Sequence, residues 1–492
     1  MKRFYPIFIL IGIYLLLWAV ILIAWHKNDI NSVNGDEPHY LVMAHGIVTY
    51  GSFEQTRPYK DEFSKRSIFK KGLAPQDSNP SPENTQAVLG PHGLYNIHNI
   101  GLPIIISLPY KFGGVAGAKI FMVLIGVTAI LFTWNITGIF SANTKIRFLS
   151  TLALCIALPL LPASNQIYPD LPAGIVSLSG LYWFMTLDRK RPIFQEFIWA
   201  AAIVFLPWLH IKFSMACALL IIALMIKKFI LFKDMKGISI LAVLSVLSSF
   251  ILFAYNYYAF NRLSGPYPTG TFEFSGTSIM VLFGLHADQN QGFLMQNLIL
   301  LIGLGSIGGL YRRDRATAII WLFVYASLLI PNAFLLNWYG GTSFSGRFGW
   351  SAAVVFFLPT ALGLARIDEY SSKLFKTIIA ITVLLQAYFF FNYALCHLDL
   401  YNKPPLTMLD SYSLFYHPIQ KWFPAFYCTN WAYRYTPNYA WGVLIALLVA
   451  SGFASAKKIK KRIIISLAIG CSFIFAAGFY AFNLRKLFDI FI

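Results

Sequence analysis

Two stretches constrain this chain more than anything else in it. Residues 5–25 and 237–260 run for 21 and 24 residues without a charged side chain. At 1.5 Å per residue a helix of either length crosses a hydrocarbon core of about 30 Å. Backbone polar groups find no water in lipid, so such runs cross as helices that satisfy their own hydrogen bonds. The composition agrees, because only 12% of the 492 residues are charged and 57% are hydrophobic. That charged share is about half of what a soluble globular protein carries. A large soluble helical protein would need many more charged faces.

Apolar runs at 5–25, 113–136, 148–162, 168–187, 195–209, 213–228, 237–260, 293–310, 316–334, 348–365, 376–394, 437–454 and 463–482 give an all-α polytopic membrane protein of about 13 transmembrane helices. Eleven remain enough if the pair near 195–228, joined through Pro207 and the polar Trp208–Lys212 turn, is counted otherwise. With the amino terminus cytoplasmic, the joints on that side read Lys2-Arg3, Lys145/Arg147, Arg189-Lys190-Arg191, Lys227-Lys228 with Lys233 and Lys236, Arg312-Arg313/Arg315, Arg366 with Lys373 and Lys376, and Lys457-Lys458/Lys460-Lys461-Arg462. These hold 22 of the 39 basic residues, a positive-inside pattern. The net charge of +19 is then chiefly a topology signal. Nothing points to nucleic acid, since basic residues do not interleave with aromatics on a soluble surface; membrane lipids are the expected partners of the basic clusters. The first run lacks a small-residue cleavage site after it and reads as a retained anchor.

The polar sequence is concentrated in three outer loops, at about 26–112, 261–292 and 395–436. The first opens with Asn34-Gly35-Asp36-Glu37-Pro38-His39-Tyr40, two adjacent carboxylates just outside the first membrane helix. Asp36 is placed to cap a helix that ends at Gly51, with Glu37 and Pro38 in its first turn. Its apolar spacing suits a helix lying on the outer membrane surface. Residues 100–110 are apolar but too short to span, and so are expected to lie along or dip into the outer leaflet. Residues 52–96 are polar and rich in Pro, Ser, Asn and Lys, which suggests an irregular, mobile cover.

Other candidate residues lie at helix ends on the same side. Asp170 begins an apolar helix, where a carboxylate is costly unless paired or facing a wet cavity; it is expected to be a second acid in the pocket of Asp36, with a plain helix cap as the alternative. Arg347 ends Tyr339-Gly340-Gly341-Thr342-Ser343-Phe344-Ser345-Gly346-Arg347, a glycine- and hydroxyl-rich approach to a guanidinium that can hold a phosphate with paired donors, with a plain snorkelling arginine as the alternative. His39, His92, His98, His286 and Asp288 could join Asp36 and Asp170 around a divalent cation such as Mg2+ or Mn2+, although their spacing matches no tight metal signature. Cys396 and Cys428 share the third loop, where an oxidising compartment permits a disulfide.

The order of elements, a first helix, a large outer loop opening with Asp-Glu, and about a dozen further crossings, resembles the C-type (GT-C) membrane glycosyltransferases that take sugars from polyprenyl phosphates, the protein O-mannosyltransferase-like and aminoarabinose-transferase-like enzymes. The matching stretches are 35–45, 98–114, 165–174, 282–294 and 339–348, and the likeness covers roughly residues 1–370. It implies a GT-C fold whose large extracytoplasmic loop bears interfacial helices, with a catalytic module over 1–394 and an outer loop with variable helices over 395–492. It also implies that Asp36 is the catalytic base. Members of the aminoarabinose type often close the first loop with Lys-Pro-Pro; here the residues are His98-Asn99-Ile100-Gly101. Their sugar and acceptor therefore do not transfer to this chain.

The expected reaction moves a sugar from a polyprenyl (undecaprenyl) phosphate to a hydroxyl on a lipid, glycan or protein at the outer face of a bacterial inner membrane, with inversion at the anomeric carbon. Asp36 would take the hydroxyl proton and Arg347 would hold the leaving phosphate. Glu37 would anchor the loop helix, because adjacent helical residues point about 100° apart. His39 would tune Asp36. Tyr40, His98, Asp170, Asp288 and Tyr339 would support donor or acceptor. A transporter of lipid-linked sugars and a lipid-linked glycan polymerase or ligase are the rival classes; a transporter would normally show matching halves and polar residues near the bilayer midplane.

Overall fold

The computed structural model describes residues 5–28, 30, 32–188, 191–267, 276–335, 338, 340–396, 415–426, 435–454, 465, 468–474 and 476–477. Among these, eight helices are long and apolar enough to cross a membrane: Tyr5–Lys27, Gly101–Phe140, Ile211–Phe232, Met235–Phe260, Arg315–Ala333, Arg347–Tyr370, Ser372–Leu395 and Thr436–Phe453. Several carry large apolar side chains on exposed surface, such as Phe8 and Leu16 on the first, Val246 and Phe250 on the fourth and Leu384 on the seventh. Contiguous exposed apolar surface of that kind belongs against lipid. The chain is a largely helical polytopic membrane protein.

The expected thirteen crossings are not all unbroken helices. The run at 148–162 folds as Thr144–Cys155 followed by the single turn Leu160–Ala163. The run at 168–187 gives the 16-residue helix Asp170–Met185. That at 195–209 divides into Ile193–Val204 and Leu206–Leu209. Residues 293–313 form four short pieces. Hydropathy reports burial in an apolar medium and is blind to such breaks, which proline and buried polar side chains create. The joints at Lys2-Arg3, Arg189-Lys190 and Lys457–Arg462 lie outside the described residues, as do half of the run at 463–482, Tyr339, Cys428 and the side chain of Cys396.

The chain forms two compact units. Unit 1 comprises residues 1–30, 127–163 and 273–492. Its core includes a cluster in which Trp18, Trp25 and Tyr393 meet edge to face, with ring centroids 5.3 to 6.4 Å apart. A second aromatic group stacks Trp321 on Tyr325 and packs both against Phe356. Where the helices break, side-chain amides replace the lost backbone bonds. Gln386 accepts from Leu158 N at 2.8 Å and donates to Gln296 O at 2.8 Å.

Unit 2 comprises residues 31–126 and 164–272. Helix α1 (Tyr5–Lys27) precedes it in the chain, and its own first helix is α2 (Glu37–Tyr50), which Gly51 ends in a left-handed conformation. Helix α3 (Thr56–Lys65) and a two-stranded antiparallel hairpin, β1 (Ala87–Gly90) and β2 (Gly93–Asn96), follow. Helix α4 (Gly101–Phe140) is two helices meeting at Gly114, whose φ of 56° and ψ of −143° interrupt the turn. The segment before that break is the short apolar helix expected from residue 100 onward.

Two expectations need correction here. Residues 52–96 are irregular only in part: α3 and the hairpin are regular, residues 66–86 between them have turns and bends without helix or strand, and Glu62 accepts from the backbone of Ile68 and Phe69 and so closes the turn after α3. The hairpin packs on the end of helix Met235–Phe260, where His92 stacks on Tyr258 with centroids 4.2 Å apart. Nor does α2 lie on a surface with one polar face exposed; Glu37 to Ala44 are all buried.

Gln386 yields a test of the broken-helix packing. Replacing it by Leu leaves the Leu158 N–H and the Gln296 carbonyl buried without this partner. An unmet buried group costs about 1–3 kcal/mol, so the loss is roughly 2–4 kcal/mol in all. Thermal unfolding of the purified variant in detergent should show a midpoint several degrees below wild type.

Candidate active site around Asp36

The adjacent carboxylates of the Asp-Glu element have separate environments. Glu37 is fully buried and meets Lys119 of α4, whose ammonium donates to Glu37 Oε1 at 2.5 Å. The same ammonium donates to Ser32 O at 2.6 Å and Asn165 O at 2.7 Å. Glu37 in turn accepts from Asn34 N at 2.9 Å and Ile167 N at 2.7 Å. Three acceptors around one ammonium make a compensated buried pair, which ties α2, α4 and the approach to helix Asp170–Met185 together. Glu37 is spent on architecture.

Asp36 sits at the N-cap of α2, yet its side chain makes no capping hydrogen bond. Its backbone N–H donates to the hydroxyl of Tyr168 at 3.2 Å, and that hydroxyl donates to Asn34 O at 3.2 Å. Gln86 Nε2 donates to Asp36 Oδ1 at 3.4 Å. The Asp36 charge is also felt at His39, Tyr59 and Tyr267. The carboxylate thus belongs to a polar cluster drawn from α2, α3, the hairpin and the segment before residue 268.

His39 does not act as a charged neighbour. Tyr59 lies 2.7 Å from its Nδ1, and the same phenol oxygen accepts from Asn96 Nδ2 at 3.0 Å, so the phenolic hydrogen is directed to the imidazole. Burial pushes the His39 pKa down to about 3; His98 adds to the fall and Asp36 opposes it. A neutral ring cannot raise or lower the basicity of Asp36 by charge. Tyr40 is buried, stacks on His98 with centroids 4.6 Å apart and meets Tyr168 edge-on at 6.3 Å, so its ring serves packing.

Asp170 is buried and is held by Lys212, 2.6 Å from its Oδ1. Beside that lysine, His210 Nδ1 accepts from Lys212 N at 3.2 Å, and His210 Nε2 lies 3.0 Å from the Tyr267 hydroxyl. Sequence reading missed Lys119, Lys212 and His210 as site residues. A lone lysine inside the apolar run at 113–136 was a usable signal, since intramembrane charges are retained only with partners. For Gln86 and Tyr59 the sequence gives no signal.

In unit 1, Asp288 accepts from Asn290 N and Gln291 N at 2.9 Å each and from Phe426 N at 2.7 Å. It organises a turn. Gln291 and Gln296 of that turn then clamp the glycine-rich loop, through Gly346 N at 2.8 Å and Ser345 O at 2.7 Å. Gly346 has a φ of 82°, and a Cβ there would meet the Gln296 amide at 2.6 Å, so glycine is required on both counts. Arg347 follows in a 3-10 turn, largely buried, with its guanidinium 4.8 Å from the Phe348 ring centroid.

The donor set considered for a divalent cation does not fit one. His286 donates from Nδ1 to Leu282 O and accepts at Nε2 from Tyr325, which uses both ring nitrogens. Asp170 already faces an ammonium. Among the described residues no group of three His, Cys, Asp or Glu side chains is placed to hold a metal.

No family model and no curated protein matches the chain. Two solved structures are similar to it, ArnT from Cupriavidus metallidurans in the apo state and bound to undecaprenyl phosphate. Each is 12% identical, covering 96% of this chain and 76% of the other, with TM-scores of 0.48 and 0.49. At that identity neither fixes the role of any residue in this chain.

Two outcomes follow from these contacts. Lys119→Met leaves Glu37 buried without its counter-charge, which costs about 3–5 kcal/mol; thermal unfolding should show a large loss that Glu37→Gln in the same chain partly restores. His39 is neutral in the folded state, with its pKa lowered from 6.5 to about 3. The unfolded chain takes up this proton first, so the contribution is full above 6.5 and is lost as pH falls toward 3. The slope from this group is up to about 1.4 kcal/mol per pH unit. Unfolding curves recorded between about pH 7 and pH 4 should be flatter for His39→Gln than for wild type.

Proposed function

We propose that this protein is an inverting glycosyltransferase, moving a sugar from a polyprenyl phosphate to an acceptor hydroxyl at the outer face of a bacterial inner membrane. The observation that carries the reading is the division of labour in the Asp-Glu element. Glu37 is neutralised in a buried ion pair, whereas Asp36 stands one residue away in a cluster of histidine, tyrosine and amide side chains. A chain with so few acidic residues that holds one carboxylate in this way is equipped for proton transfer.

In the proposed step the acceptor hydroxyl gives its proton to Asp36 as its oxygen bonds to the anomeric carbon. The bond from that carbon to the phosphate oxygen breaks, and its electron pair leaves with the phosphate. A phosphate monoester of low basicity needs little protonation, but its growing charge must be held. Arg347 is the residue proposed for that, supported by its rigid glycine-rich loop. Asp170, Lys212, His210 and Tyr267 are proposed to line the substrate side of unit 2. The catalytic module is taken as residues 1–394, with the amino terminus cytoplasmic. The donor, the bilayer lipids and a lipid, glycan or protein acceptor are its partners.

General-base catalysis contributes about 10²- to 10⁴-fold. Asp36→Asn in proteoliposomes supplied with a panel of polyprenyl-phosphate sugars and native envelope extracts should lower product, followed by mass, by that factor. A folded variant that transfers at the wild-type rate contradicts the assignment.

A further inference from the structure

We propose that Gln86 is the positioning residue of this site, its side-chain amide bridging His98 to Asp36 and fixing how the carboxylate meets the acceptor. The inference rests on the reading of Asp36 as the base. An ionised carboxylate only accepts hydrogen bonds, so the amide nitrogen of Gln86 faces Asp36 Oδ1, at 3.4 Å. The amide oxygen then faces His98 Nε2 at 2.5 Å, which must carry a hydrogen. The tautomer of His98 is thereby set by the network.

Each member of the bridge is held from outside it. The His98 ring stacks on Tyr40, and its backbone N–H donates to Asn96 Oδ1 at 2.9 Å. The Gln86 carbonyl accepts from Ile97 N at 2.9 Å, and its backbone also bonds the Tyr59 phenol. The backbone that presents the amide is therefore fixed independently of the amide. Asp36 is held at its own N–H by Tyr168. What that leaves undetermined is the rotation of the carboxylate about its terminal torsion, which has only broad intrinsic preferences. The Gln86 amide restrains it through Oδ1. Hydrogen bonds at catalytic groups are often long before substrate arrives and tighten in the complex, consistent with the 3.4 Å separation.

The test compares Gln86→Met, Asp36→Asn, the double variant and His98→Phe, reconstituted with the donor that the wild type accepts and measured at high enzyme concentration. Misplacing a reacting group by about 1 Å can cost 10²-fold, so Gln86→Met should lower kcat by roughly 10- to 100-fold with donor KM unchanged. In the Asp36→Asn background the same substitution should change nothing, because residues acting through one group are not additive. His98→Phe keeps a ring against Tyr40 but removes the donor, and should lower kcat with the melting midpoint held. The proposal is overturned if Gln86→Met retains wild-type kcat, raises KM alone, loses activity only in step with its melting midpoint, or cuts the residual rate of Asp36→Asn by the same factor as in wild type. Wild-type turnover by Asp36→Asn is a separate outcome, which removes the base itself and with it the reason for the bridge.

Discussion

The ion pair between Lys119 and Glu37 is the contact on which the candidate site depends. Two charges taken out of water cost several kcal/mol each unless geometry and further hydrogen bonds offset them. Here they do: the ammonium has Ser32 and Asn165 carbonyls besides Glu37, and the carboxylate has the Asn34 and Ile167 N–H groups. Such a pair gains little net stability over an apolar one of the same shape. It does fix direction and register, because it joins three stretches of chain that are far apart in sequence, 32–37, Lys119 and 165–167. Asp36 is positioned as a consequence, between the clamped Glu37 and the Tyr168 hydroxyl.

That placement explains how adjacent carboxylates differ in role. On a helix they point about 100° apart, and only one can face inward to α4. Glu37 takes the inward direction and is held there by Lys119. Asp36, at the first turn, meets the Gln86 amide and, through its backbone N–H, the Tyr168 hydroxyl. The buried pair Asp170–Lys212 applies the same principle elsewhere in unit 2: a carboxylate that opens an apolar helix is retained with its own cation.

Much of this was legible in the sequence, and the reasons the rest was not are physical. The long helices could be read because an uncharged run of 21 or 24 residues has few other fates. The Asp-Glu element and the helix ending at Gly51 could be read from capping chemistry and proline placement. The breaks at 156–159 and 297–306 could not, because the amide that bonds the backbone at both, Gln386, comes from a distant position. The segment at 52–96 looked irregular because its order comes from contacts with the helix ending at Phe260 and from Glu62 closing a turn, neither of which leaves a periodic pattern. His39 looked like the neighbour that tunes Asp36 because spacing shows which face a residue shares, while burial and the Tyr59 bond decide its charge.

The proposed chemistry turns on a single displacement at an anomeric carbon supplied by a polyprenyl monophosphate. The most direct test is the anomeric configuration of the product, determined by NMR after transfer of an isotopically labelled sugar from a donor of known configuration in proteoliposomes. One displacement assisted by Asp36 predicts a product of opposite configuration to the donor. Retained configuration, or movement of intact donor across the bilayer with no new glycosidic bond, would contradict it.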